Sequence, residues 1–238
     1  MNVLGLIPAR AGSKSIPRKN IATLAGRPLL AYTCEAALAS ERLTRVVLST
    51  DDPEIAQVGR DFGVTVPFLR PADLARDDTP SLDVAQHAVQ WLAENDGFNT
   101  DVLVLLQPTS PLRRACHIDQ ALDRMEETGA DTVVSVVELP HRFSPYSVME
   151  LQDGRLQDFW RSPVPFDRYR RQEAPLLYAR NGPAVLATRT HVLMGLSSFY
   201  GSHTVPFVMD QLDSVDIDDS FDLALASWLL QRQSENLT

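Results

Sequence analysis

Through its first 137 residues the chain alternates short β-rich runs with segments whose apolar residues recur at helical spacing, which is the signature of repeated β-α units around a mostly parallel sheet. The spacing predicts strands at residues 3–7, 45–49, 64–68, 102–106 and 132–137. It predicts helices at 28–39, 53–62, 81–94 and 116–127, with Pro28 and Pro53 where a first helical turn tolerates proline. Strands resume at 184–187 and 204–209, and an amphipathic helix at 220–231 carries Phe221, Leu223, Leu225, Trp228 and Leu229. In open sheets of this kind ligands bind beyond the carboxyl ends of the strands. The loops after Ile7, Ser49 and Leu106 are therefore the ones to inspect for chemistry.

The first of those loops is Pro8-Ala9-Arg10-Ala11-Gly12-Ser13-Lys14-Ser15-Ile16-Pro17-Arg18-Lys19-Asn20. Arg10, Lys14, Arg18 and Lys19 place four cations within ten residues of a chain whose net charge is −9. Small residues at Ala11, Gly12, Ser13 and Ser15 let the backbone approach an anion and offer N–H donors. The loop suits a polyphosphate. It lacks both G-x-x-x-x-G-K-[ST] and G-x-G-x-x-G, which removes the main support for P-loop NTPase and dinucleotide-binding readings.

The acidic balance argues against non-specific nucleic-acid binding, which depends on a broad basic surface. With 238 residues and 44% hydrophobic content, the chain can bury one substantial core with a small appendage. It has no apolar run of about 18 residues, and its first apolar stretch is short and without a basic leader, so we expect no membrane span, no secretory signal and a cytoplasmic location. Cys34 and Cys116 lack metal-ligand spacing and read as small buried apolar groups. The five histidines show no mutual spacing that suggests a metal or a dyad, and read as surface or helix-face residues.

Three further constellations carry chemistry. Leu106-Gln107-Pro108-Thr109-Ser110-Pro111-Leu112-Arg113 is a proline-stiffened loop presenting Gln107, Thr109 and Ser110 at the ligand edge, with Arg113 as a cation; its plainer reading is a helix start capped by Thr109 or Ser110. In Asp213-Ser214-Val215-Asp216-Ile217-Asp218-Asp219, period-two alternation points Asp216 and Asp218 the same way, a pair suited to Mg²⁺ beside a substrate phosphate; acidic residues also crowd helix starts. Arg171 with Gln172 could grip an anionic acceptor, or form a solvated basic turn. Between residues 138 and 175 five prolines interleave with aromatics and arginines, breaking the β-α pattern; such an excursion packs back on its domain or meets a partner.

These segments, with Leu48-Ser49-Thr50-Asp51 and Leu69-Arg70-Pro71-Ala72-Asp73-Leu74-Ala75, resemble the N-acylneuraminate cytidylyltransferase family over nearly the whole chain. The resemblance implies a three-layer αβα, Rossmann-like nucleotidyltransferase fold of residues 1–137 and 176–238, with a small protruding dimerisation element at 138–175 and a homodimer. It implies transfer of CMP from CTP to the anomeric hydroxyl of a nonulosonic, sialic-acid-like 2-keto sugar acid, releasing pyrophosphate with Mg²⁺. Arg10, Lys14 and Lys19, with Gly12 and Ser13, would hold the triphosphate, and Asn20 would assist at the nucleotide. Arg70 and Ser81 would read cytosine. Gln107, Thr109, Ser110, Arg171, Gln172 and Arg180 would line the acceptor pocket, and Asp216 and Asp218 would bind Mg²⁺. Arg10, Lys14, Lys19, Asp216 and Asp218 are the expected catalytic set.

The chain departs from the family at Asn181-Gly182-Pro183-Ala184-Val185, where Val185 stands at a tyrosine expected to face the sugar. Loss of that hydroxyl suggests an unusual acceptor and keeps open a phosphonate or other small acid. Ala11 and Ser15 replace frequent glycines, and Ser15 would be strained if its φ were positive. A non-catalytic nucleotide-binding protein is the remaining alternative, and it would need a phosphate or metal ligand to be missing.

Overall fold

The computed structural model describes residues 1–160 and 175–235. Its centre is a seven-stranded sheet. The strands are β1 (Val3–Pro8), β4 (Arg45–Ser49), β5 (Val102–Leu105), β6 (Thr132–Glu138), β9 (Tyr178–Arg180), β10 (Leu186–Arg189) and β11 (Thr204–Met209). The intervening strands form two small ribbons, β2 (Thr23–Leu24) with β3 (Arg27–Pro28), and β7 (Met149–Gln152) with β8 (Arg155–Asp158).

The main sheet runs β11-β6-β10-β5-β1-β4, with β9 added to β6. β1 pairs in parallel with both β4 and β5, and β11 with β6, whereas β10 and β9 run antiparallel to their neighbours. Gly5 makes the middle of β1 possible: a Cβ there would stand 2.7 Å from a methyl of Leu43. The strand expected at 64–68 is reduced to isolated parallel bridges, Val47 to Thr65 and Thr50 to Leu69, because this segment turns past β4 instead of laddering along it.

The helices are α1 (Leu29–Leu38), α2 (Pro53–Asp61), α3 (Ser81–Asp96), α4 (Ala115–Thr128) and α5 (Ser220–Glu235). Alternate residues of β1 divide the core. Val3 and Ile7 join Leu30, Ile55, Ile118 and Leu122 from α1, α2 and α4 on one face. Leu4 and Leu6 join Ala85, Ala88 and Leu92 from α3 on the other. Helices on both faces of one sheet give the three layers expected. A third cluster lies at the strands' carboxyl edge: Ile16, Leu24, Leu29, Ile217 and the α5 residue Ala226. Ile16 belongs to the basic loop and Ile217 stands between Asp216 and Asp218, so apolar burial itself draws the cationic and acidic segments together.

Other expectations are corrected. Helix α5 is apolar on more than one side, leaving Phe221 at 73% and Trp228 at 50% exposure. Cys116 is exposed, although Cys34 is buried and its thiol pushed up to about 12 by desolvation. His117 is a helix-face residue of α4, and that face is buried. The β7–β8 ribbon is exposed along both strands, with Leu151 opposite Leu156. Among the described residues no helix is long and apolar enough to cross a membrane.

Candidate active site

The basic loop leaves β1 and is fixed by its own backbone. Ala9 N–H donates to the Ser49 carbonyl at 2.9 Å, Ala11 N–H to Asp51 Oδ1 at 3.1 Å, and the buried Asn20 Nδ2 to the Arg10 carbonyl at 2.9 Å. Positive φ falls on Arg18 at 52°, and not on Ser15, so the strain anticipated at Ser15 does not arise. Arg18 reaches back to α2, meeting Glu54 at 2.7 Å and Asp52 at 3.1 Å. The other three cations of the loop line a cavity of about 510 Å³ at the carboxyl edge of the sheet.

The acidic segment closes the opposite wall. Lys19 Nζ donates to the Ile217 carbonyl at 2.7 Å and lies 3.9 Å from Asp218 Oδ1, while Ser15 Oγ donates to the Asp218 carbonyl. Ile217 N–H donates to the Thr109 carbonyl at 2.8 Å, which joins the proline-stiffened loop to the same seam. Asp216 and Asp218 both line the cavity. Their neighbours are structural: Asp219 Oδ1 accepts from Phe221 and Asp222 N–H groups at the start of α5, and buried Asp213 accepts from Arg114 at 2.7 Å with His117 at 3.4 Å. Helix capping therefore accounts for Asp219 but not for the Asp216 and Asp218 pair.

Asp216 holds its proton more tightly than an ordinary aspartate. Burial is the chief cause, partly offset by a hydrogen bond from the Thr109 side chain, and the nearby Asp218 charge adds to it. Its Oδ1 is buried with no hydrogen-bond partner. An unpartnered buried carboxylate oxygen beside a second, exposed carboxylate fits a hard divalent cation. Among the described residues no cluster of three His, Cys, Asp or Glu could hold a metal ion.

Gly12, Ser13, Asn20, Arg70, Ser81, Gln107 and Thr109 also line the cavity. Arg70 is buried, with Nε donating to Ser49 Oγ at 3.1 Å and Nη2 to the Ser49 carbonyl at 2.5 Å; desolvation lowers its pKa to about 10. Ser81 opens α3, so the first turn of that helix faces the cavity. Three expectations change. Ser110 is 1% exposed and lies behind the loop against Gly182, off the cavity wall. Arg180 stacks over the Tyr200 ring at 4.6 Å and does not line the cavity. Val185 is fully buried in the core with Ile7, Leu106 and Ile118 and does not line the cavity. Arg171 and Gln172 lie outside the described residues.

Neither Thr109 nor Ser110 caps the next helix, since α4 begins at Ala115. Arg113 is likewise no ligand: fully enclosed, it donates to the carbonyls of Gln107 at 3.0 Å and Ala184 at 2.8 Å and to Thr33 Oγ1 at 2.5 Å. Sequence reasoning missed Arg76, Asp77 and Thr79, which line the cavity from the segment before α3. The polar run Arg76-Asp77-Asp78-Thr79 reads as an ordinary solvated turn, and only its fold-back on the basic loop sets it apart.

Comparison with known proteins agrees with this geometry. The family model described as Cytidylyltransferase matches residues 4–226. The chain is 36% identical over 240 residues to a CMP-N,N'-diacetyllegionaminic acid synthase of Legionella pneumophila, covering 100% of both chains. It is 32% identical over 233 residues to an N-acylneuraminate cytidylyltransferase of Escherichia coli, covering 98% of this chain and 53% of that protein. The chain thus spans about half the length of several curated relatives and the whole of others. A solved CMP:2-keto-3-deoxy-manno-octonic acid synthetase complexed with CTP superimposes with a TM-score of 0.71 at 20% identity, covering 98% of this chain and all of that one, which establishes the shared fold.

Proposed function

The chain belongs to the cytidylyltransferase family, and from that premise we propose that it transfers CMP from CTP to the anomeric hydroxyl of a nonulosonic 2-keto sugar acid, releasing pyrophosphate. One observation carries the reading: Arg10, Lys14 and Lys19 share a single cavity with Asp216 and Asp218. A cationic wall facing an acidic pair is what a nucleoside triphosphate with its counter-cation requires.

Arg10, Lys14 and Lys19 neutralise charge on the triphosphate and then on the departing pyrophosphate, while Gly12 and Ser13 let the backbone come close. Arg70, held by Ser49, and Ser81 on the first turn of α3 present fixed donors to the base. Gln107 and Thr109 position the acceptor so that its hydroxyl lies in line with the α-phosphorus. Asp216 and Asp218 would hold Mg²⁺, which as a Lewis acid would withdraw charge from phosphate oxygens. Lys19 anchors the strip carrying both carboxylates by its bond to Ile217.

The second reading, a phosphonate or other small acid as acceptor, rested on Val185, which lies buried in the core and off the cavity wall, and it is one arm of the test. A homodimer is part of the proposal, supported by the exposed β7–β8 ribbon with Leu151 at 70% and Leu156 at 64% exposure. We place the protein in the cytoplasm. The test is pyrophosphate release from CTP and Mg²⁺ across a panel of nonulosonic acids, other 2-keto acids and phosphonates. Turnover with the sugar acids, lost in Asp218→Ala with folding intact, supports the proposal. Full activity in that variant removes the metal assignment, and CTP binding without turnover on any acceptor returns the reading of a non-catalytic nucleotide-binding protein.

A further inference from the structure

We propose that Asp77 is an internal anion seated on the polyphosphate site, which an incoming triphosphate tail must displace, and that it thereby selects ligands by the charge of their tail. The inference rests on the cytidylyltransferase reading only for the identity of the natural ligand.

Asp77 uses both carboxylate oxygens on the basic loop. Oδ1 lies 2.8 Å from Arg10 Nη1 and Oδ2 lies 3.2 Å from Lys14 Nζ. One anion bridging two cations through separate oxygens is the geometry a phosphate group would take there. The Arg76 carbonyl accepts from the same Arg10 nitrogen at 3.0 Å, so backbone and side chain together fasten this segment to the loop. Gly12 lies beneath: a Cβ there would stand 3.7 Å from Asp77 Oδ1. The two cations hold the Asp77 carboxyl below its ordinary range, Lys14 contributing most. Asp78 is different: among the described residues its ion pair is with Arg76 at 3.6 Å, and it does not line the cavity.

A triphosphate cannot share Arg10 and Lys14 with a carboxylate at these distances, because like charges so close repel. Its several charges outbid the single charge of Asp77. A nucleoside monophosphate, whose one phosphate would not extend along the basic loop, leaves the contact in place. Lys14 is 83% and Asp77 49% exposed, so the latch is weak enough to open without barring the substrate. Closing again, Asp77 competes with pyrophosphate for the same cations and favours its departure. The latch is also tied to the nucleobase wall, since the Leu74 carbonyl, three residues before Asp77, accepts from Arg70 Nη1 at 3.4 Å.

Calorimetric titration of the 238-residue chain without Mg²⁺ tests this, using CTP, CMP and inorganic tripolyphosphate against the unaltered chain, Asp77→Asn, Asp77→Glu and Asp78→Asn. Asp77→Asn should bind CTP and tripolyphosphate roughly two- to thirty-fold tighter, the range two exposed ion pairs allow, with CMP unchanged. Asp77→Glu should stay close to the unaltered protein, and Asp78→Asn should match it on all three ligands. Unchanged or weaker CTP and tripolyphosphate binding by Asp77→Asn overturns the proposal. So does equal tightening of CMP, or equal tightening by Asp78→Asn, either of which would reflect a general gain of positive charge. If the unaltered chain binds tripolyphosphate but does not bind CTP either without Mg²⁺ or with it, the proposed CMP transfer fails while the tripolyphosphate arm still decides the role of Asp77.

Discussion

Lys14 and Lys19 stand five residues apart in one loop, and replacing each by methionine should separate two roles that sequence cannot distinguish. Lys19 is 14% exposed at its side chain, with Nζ donating to the Ile217 carbonyl at 2.7 Å and Asp218 Oδ1 at 3.9 Å. Lys14 is 83% exposed and, among the described residues, pairs with Asp77 at 3.2 Å. A hydrogen bond from a charged donor contributes about 1.5–3 kcal/mol, and its loss leaves the Ile217 carbonyl without that partner. In a chain of this size about 1 kcal/mol corresponds to roughly 2–4 °C in melting temperature, so Lys19→Met should melt about 3–12 °C lower. Lys14→Met loses an exposed pair of about 0–1 kcal/mol and should melt within about 4 °C of the unaltered protein. Both should lose kcat/KM for CTP by about 10²–10³-fold, the effect of deleting one preorganised charge from a transition state. Calorimetric melting and a continuous pyrophosphate assay read the two quantities separately. Equal melting of the two variants would refute the claim that Lys19 anchors the acidic strip, and retained activity in Lys19→Met would remove it from the site.

Gly182 has φ of 116°, and a Cβ there would meet Ser110 Oγ at 3.0 Å and Asp216 Cγ at 3.3 Å; Gly182→Ala should therefore cost about 1–3 kcal/mol in denaturant unfolding and weaken Mg²⁺-dependent turnover by displacing Asp216. Arg113→Leu strands the carbonyls of Gln107 and Ala184 in the interior, and urea titration should show a loss of about 2–4 kcal/mol that Arg113→Lys does not restore, because an ammonium lacks the planar fork. Burial, then the Arg70 charge, lowers the pKa of His87 from its ordinary 6.5. The unfolded chain takes up that proton first, so stability should fall as pH drops from 6.5 toward the lower folded value; His87→Leu should flatten part of that slope, and an unchanged slope would contradict it.

What could be read without coordinates was whatever depends on local pattern. Apolar runs alternating with helical spacing specified the β-α order, because a strand covered on both sides and an amphipathic helix each leave a periodic trace. The composition of the first loop pointed to a polyphosphate ligand, since charge and backbone access reside in the residues themselves. The pattern failed where neighbours decide. Residues 64–68 have strand composition but follow β4 only by isolated bridges, and α5 keeps Phe221 and Trp228 in solvent despite their apolar character.

Only the tertiary structure could bring Lys19 to Ile217 across 198 positions of sequence, through the small apolar cluster that buries Ile16 with Ile217. It alone sorted the acidic run into capping Asp219, buried Asp213 and the cavity-facing Asp216 and Asp218, four aspartates alike in sequence and different in their surroundings. It turned Ser110, Arg113 and Val185 away from the cavity, and it set Asp77 upon the basic loop. Residue type determines which chemistry is possible; the packing of distant segments determines which side chains share a solvent, a charge and a cavity, and those long-range terms leave no periodic mark in the chain.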